Sequence, residues 1–96
     1  AVTHAVLENK EKDRLTVDIY NMGTAANAES AIANPAICYA EGYSVIDIGT
    51  KARLFNYSPD ILVYFVKGPY LVNISLNNDT LSKTATTFAK TLYQSI

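Results

Sequence analysis

From Leu15 to Tyr20 the chain alternates, LTVDIY, with Leu15, Val17 and Ile19 on one side and Thr16, Asp18 and Tyr20 on the other. A period of two with one apolar side is the pattern of a half-buried strand. Residues 2–8 read as a partner strand, and the charged run Asn9-Lys10-Glu11-Lys12-Asp13 as the solvated tip of the hairpin that joins them. The pattern then breaks at Tyr20-Asn21-Met22-Gly23-Thr24. Gly23 permits a backbone kink that a side chain resists, and Thr24 can cap a helix starting at Ala25. Ala25, Ala26, Ala28 and Ala31 favour that helix, Ile32 anchors it in the core, and Asn34-Pro35 ends it.

Further strands are predicted over residues 43–48, 51–57, 61–66 and 70–76. Gly49-Thr50, Ser58-Pro59-Asp60 and Lys67-Gly68-Pro69 form the turns between them. After the loop Asn77-Asn78-Asp79, a helix runs from Leu81 or Ser82 to the C-terminus, with Leu81, Ala85, Phe88, Ala89, Leu92 and Ile96 on one face. The order ββα-ββ-ββα predicts a single α+β domain over residues 1–96: an antiparallel sheet of about six strands with two helices on one face.

One surface of this sheet is too apolar for water. Pairing the last hairpin across Lys67-Gly68 sets Val66 opposite Pro69, Phe65 opposite Tyr70, Val63 opposite Val72 and Ile61 opposite Ile74. That apolar face suits the helices. The other face carries Leu62, Tyr64, Val66, Leu71, Asn73 and Ser75, and the first hairpin adds Tyr20. An exposed patch of this kind marks an interface. Three covers compete: a part of the protein absent from this chain, a second subunit, or a ligand for which the face is a groove wall. A register slip of one residue would exchange the faces.

Composition narrows the partners. The 96 residues are 49% apolar and 18% charged, an ordinary globular balance. A net charge of −1 gives no general attraction for nucleic acid or an anionic membrane, and the apolar stretch over residues 61–66 is far short of the roughly 20 residues of a membrane span. The chain starts at Ala1, so either a leader has been removed or this is the C-terminal part of a longer precursor. Low charge with abundant Tyr, Thr and Asn fits an exported, periplasmic or extracellular protein. Of three N-x-S/T sequons, at Asn56, Asn73 and Asn78, about one or two are expected by chance in so Asn-rich a chain, and none is read as a glycosylation site unless the source is eukaryotic.

Candidate chemistry is sparse. Cys38 is the single cysteine and reads as a buried structural thiol; His4 is the single histidine and reads as a surface side chain. His4 with Cys38, or Asp18 with Asp47, could form a reactive pair, but nothing in their spacing requires it. One His and one Cys cannot build a structural zinc site, and no cofactor motif is present. The joint at residues 20–24 lacks the glycine-rich nest or basic neighbour of a phosphate site and reads as scaffold. The seven tyrosines suit hydrogen-bonding contact surfaces. The expectation is a non-enzymatic exported domain that acts by contact with a protein partner or its own copies, through Tyr20, Leu62, Tyr64, Val66 and Leu71. The alternative is a small-ligand-binding or sensor domain using the same face.

LTVDIYNMGTAANA, with ILVYFVKGPYLVNISL and LSKTATTFAKTLYQSI much later, resembles a family of uncharacterised exported bacterial and archaeal proteins. The matches are Tyr20, Met22, Gly23 and Ala28 in a strand-to-helix joint, Phe65, Lys67, Gly68 and Tyr70 in a hairpin, and Phe88, Ala89 and Lys90 in a final helix. The resemblance implies export and an upstream segment that would supply the missing cover. It implies no activity and carries over no site residues.

Overall fold

The computed structural model describes residues 3–34, 43–49, 52–57 and 59–96. Six strands, β1 (Thr3–Glu8), β2 (Arg14–Asn21), β3 (Tyr43–Val45), β4 (Ala52–Tyr57), β5 (Asp60–Lys67) and β6 (Tyr70–Leu76), form one sheet in the order β1-β2-β6-β5-β4-β3. Every neighbouring pair is antiparallel. Helix α1 (Ala25–Ala33) follows β2, and α2 (Ser82–Ser95) follows β6 after a single 3₁₀ turn at Asp79–Leu81. The α+β class, the six strands and the two helices are those the pattern predicts.

The placement of the helices is not. Helix α2 sets Ala85 and Ala89 against Leu15, Val17, Ile61, Val63, Phe65, Val72, Ile74 and Leu76 on one face. Helix α1 lies on the other face, with Ala28, Ala31 and Ile32 against Phe55, Val66 and Leu71. The buried residues of α1 recur at helical spacing, so a single stripe meets the sheet. The alanines let the helix approach closely enough to close off Val66 and Leu71, which are 4% and 2% exposed. The cover for the second apolar face is thus, in part, the chain's own first helix.

The last hairpin also pairs differently. Lys67 lies opposite Tyr70, Phe65 opposite Val72, Val63 opposite Ile74 and Ile61 opposite Leu76, two residues from the expected register. Gly68 at φ +56°, followed by a proline whose ring fixes φ negative, has the φ signs of a type II′ turn. This puts Gly68 and Pro69 at the centre and returns Lys67 to the strand, where its Nζ donates to the Tyr93 carbonyl at 2.6 Å and lies 4.7 Å from the centre of the Tyr93 ring. Because the slip is even, every side chain keeps its expected face.

Two further differences are local. The third strand ends at Val45, and residues 47–49 bend so that Gly49, at φ +63°, passes under Tyr93. A Cβ there would lie 2.6 Å from the ring, so only glycine fits. The tip of the first hairpin is not simply solvated. Asn77 Oδ1 accepts from the Arg14 N–H at 2.7 Å, Asn77 Nδ2 donates to the Lys12 carbonyl, and Asn78 Nδ2 donates to Asp13 Oδ1 at 3.0 Å. The predicted loop at residues 77–79 is therefore a latch on the hairpin.

Candidate functional site

The site is assembled from cross-strand rows on the α1 side of the sheet. Register places His4, Asp18, Asn73, Tyr64 and Arg53 in one row across β1, β2, β6, β5 and β4. The adjacent row holds Tyr20, Leu71 and Val66. Directly opposed side chains in such rows have Cβ atoms about 5 Å apart. Over these rows lies an open hollow of ≈ 290 Å³, lined among the described residues by Tyr20, Met22, Tyr64, Leu71 and Asn73.

The joint at residues 20–24 fixes one wall. Asn21 Oδ1 accepts from the Gly23 N–H at 2.9 Å, and Thr24 Oγ1 accepts from the Asn27 N–H at 3.1 Å, capping α1 as the sequence predicts. Asn27 Nδ2 then donates to the Met22 carbonyl, and the Met22 N–H donates to the Pro69 carbonyl at 2.8 Å. The joint is scaffold, and what it positions is Met22 at the hollow.

The floor holds an anomaly. Asn73 Oδ1 is buried and has no hydrogen-bond partner. Leaving a buried acceptor unpaired costs about 1–3 kcal/mol, so such a group calls for an explanation. The other described lining residues are apolar or aromatic, and the hollow lies near the low end of the roughly 300–1,000 Å³ of small-molecule pockets.

Beside it, His4 Nδ1 donates to Asp18 Oδ1 across 2.5 Å. A carboxylate only accepts, so the shared proton belongs to Nδ1. The pair resembles the orienting half of a catalytic triad. Among the described residues, no Ser, Thr or Cys side chain is hydrogen-bonded to His4, so the pair addresses no nucleophile.

Of the expected contact residues, Tyr20, Leu62 and Tyr64 are partly buried around the α1 cluster, while Val66 and Leu71 belong to its buried core and offer no free surface. The pairing of Asp18 with Asp47 does not occur. Asp47 follows β3 at the far edge, four strands from β2, or roughly 19 Å at the usual strand spacing. Cys38, and any pairing of it with His4, lies outside the described residues. No group of three metal-ligating side chains occurs among the described residues. No described helix is long and apolar enough to cross a membrane.

A second depression on this face, lined by Arg14, Tyr57, Asp60, Leu62, Ser75 and Asn77 among others, is more polar. Two of its polar groups are already engaged: Arg14 with Glu8 at 3.2 Å, and Asn77 with the first hairpin. Among the described residues it presents no orphaned buried side-chain atom.

Three features escaped the sequence reading. The row of His4 with Asp18 was legible: a five-residue tip at residues 9–13 places Glu8 opposite Arg14, and the same register brings His4 to Asp18. Asn73, a carboxamide in mid-strand among apolar neighbours, was a visible irregularity. Met22 at the hollow carried no signal, because its position depends on α1 crossing the sheet. No protein-family model, curated protein or solved structure matches the chain.

Proposed function

We propose that this chain is a small-ligand-binding domain, with the hollow over the β2-β6-β5 rows as its site. The observation that carries this is an open recess among apolar and aromatic side chains that includes Asn73, a carboxamide whose buried Oδ1 has no hydrogen-bond partner. A ligand that pairs with this carboxamide would recover part of that cost as binding energy. The burial of Val66 and Leu71 by α1 favours this reading over a flat contact face, because the apolar area left open is a recess rather than a plane.

The test is a fragment screen read by NMR amide shifts, repeated on Asn73→Leu. Fragments that shift the amides of Tyr20, Met22, Tyr64, Leu71 and Asn73, and lose affinity in the leucine variant, support the reading. A screen in which those amides never move, or move equally in the variant, overturns it.

A second reading keeps contact as the function and moves it to the sheet edge. Among the described residues β1 is an edge strand of the sheet, with Val6 and Leu7 50% and 53% exposed. An apolar edge of this kind is a template for another strand. Under either reading we place the protein outside the cytoplasm, on the strength of its low charge and of the family it resembles.

A further inference from the structure

We infer that β1 is the docking edge for a second copy of this chain, the two strands pairing antiparallel about a two-fold axis at Val6. This rests on the sheet-edge reading above and adds the partner and the register. The described lining of the hollow comes from β2, β5, β6 and Met22, so the pairing occupies a different surface.

The two edges of the sheet differ. β3 is three residues long, and so short an edge strand gives an incoming strand little to pair with. β1 is six residues long and exposed throughout. Its sequence, Thr3-His4-Ala5-Val6-Leu7-Glu8, holds no lysine, arginine or proline to oppose strand addition.

The hydrogen-bond phase of the first hairpin decides which main-chain groups face outward. The Asn9 N–H donates to the Asp13 carbonyl at 3.1 Å, in the register that sets Leu7 opposite Leu15 and Ala5 opposite Val17. Hydrogen-bonded and non-hydrogen-bonded pairs alternate along an antiparallel ladder. Thr3, Ala5 and Leu7 therefore bond to β2, and the N–H and C=O groups of His4, Val6 and Glu8 point away from it. The far side of β2 agrees. The Arg14 carbonyl accepts from the Asn77 N–H at 3.2 Å, so the even-numbered residues of β2 bond to β6 and the odd-numbered ones to β1.

One antiparallel register engages all three outward residues of both strands: Val6 opposite Val6, and His4 opposite Glu8 in each direction. Placing Ala5 or Leu7 on the axis leaves Glu8 or His4 without a partner inside β1. The side chains select the same register. His4, Val6 and Glu8 share the α1 side of the sheet. With His4 protonated, the row reads Asp18, His4, then Glu8 and Arg14 of the second copy, alternating in charge. An in-register parallel copy would set His4 against His4 and Glu8 against Glu8, which like charges oppose. Val6 meets Val6 on the axis, and on the other side of the sheet Leu7 meets Ala5. The two large apolar side chains that β1 exposes are thus both drawn out of water. Two-fold pairing also closes this edge, so assembly through it stops at two copies.

Single cysteines in the 96-residue chain carrying Cys38→Ser report the register. Directly opposed hydrogen-bonded residues have Cα atoms about 5.5 Å apart, inside the roughly 4.4–6.8 Å span of a disulfide. Val6→Cys is expected to form a disulfide-linked dimer on oxidation with diamide, and His4→Cys only when mixed with Glu8→Cys. Leu7→Cys faces its own copy diagonally, roughly 7–8 Å apart, and is expected to cross-link about tenfold more slowly. Amide exchange of the parent chain gives the second readout. The N–H groups of His4, Val6 and Glu8 are expected to exchange freely in dilute solution and to become about tenfold protected as the concentration rises, while those of Ala5 and Leu7 are protected throughout. Protection of the three outward amides already in a dilute monomer would mean that the edge is covered within the chain, and would overturn both the pairing and the edge reading. A monomer up to millimolar concentration with those amides free overturns the pairing alone, and leaves the edge reading with a strand of another protein as its partner. A dimer that cross-links through Leu7→Cys and not through Val6→Cys overturns the register and the axis at Val6.

Discussion

Replacing Asn73 by leucine exchanges a half-buried carboxamide, whose buried Oδ1 has no hydrogen-bond partner, for an apolar side chain of similar size. The variant is expected to be at least as stable as the parent, by up to about 1 kcal/mol in urea unfolding, because removing an orphaned acceptor recovers its desolvation cost. A loss of stability would mean that the amide has a structural partner and is not waiting for a ligand. Asp13 gives a pH prediction of opposite character. Hydrogen bonds from the side chains of Asn9 and then Asn78 hold its carboxyl below the ordinary value of 3.8. A folded value below the unfolded one means that the carboxylate's contribution is present above pH 3.8 and is lost as the pH falls through the lowered value. In thermal melts, Asp13→Asn is expected to flatten the acid limb below that point and to leave the relative pH dependence near neutrality unchanged. An acid limb identical to the parent's would remove the latch between Asp13 and Asn78 from the account.

At the scale of elements, α1 is the piece whose packing matters most for the site. Ile32 is fully buried against the sheet, and its helix hides Val66 and Leu71. Ile32→Ala is expected to cost about 2–5 kcal/mol by the loss of buried methyl groups and the cavity that remains. Partial lifting of α1 would also expose the face beneath it, so binding of an apolar dye should increase before global unfolding. Dye binding that rises only with the global transition would show that α1 and the sheet form one cooperative unit. Leu71→Asp, a natural way to disrupt a contact face, would instead place a charge in the core. Its expected outcome is unfolding, so Leu62, which is only partly buried, is the better probe of surface contact.

For the whole molecule, the open question is what meets the edge of the sheet at β1. Light scattering on a size-exclusion column across a hundredfold range of concentration distinguishes the two readings of function. A constant monomer mass fits the ligand-binding domain and removes self-association through the edge. A mass that rises with concentration, and falls back in Val6→Lys, would make β1 a subunit interface, since a lysine on an open edge opposes strand addition.

Local pattern was enough to read most of the elements. Alternation gave β2, β5 and β6, the Thr24 cap gave the start of α1, and the apolar stripe of Ala85 and Ala89 gave the buried side of α2. It also assigned each side chain of the last hairpin to its face, because a register error of two residues leaves a period of two unchanged. Intrinsic signals of this kind reside in a few neighbouring residues, and they survive without knowledge of the rest of the chain. The side on which α1 packs could not be read in this way. An amphipathic helix fixes which of its own sides is apolar, but not which side of a sheet will receive it. Here the unmet apolar area of Val66 and Leu71 decided the matter. The hollow has the same origin: Tyr20, Met22, Tyr64 and Asn73 come from three separate stretches of sequence. The sequence by itself determined the elements, their faces and the α+β class, because these follow from local periodicity and backbone preference. Only the tertiary structure decided that the helices sandwich the sheet and leave a recess with Asn73 in its lining, because that depends on which distant apolar surfaces must be kept from water.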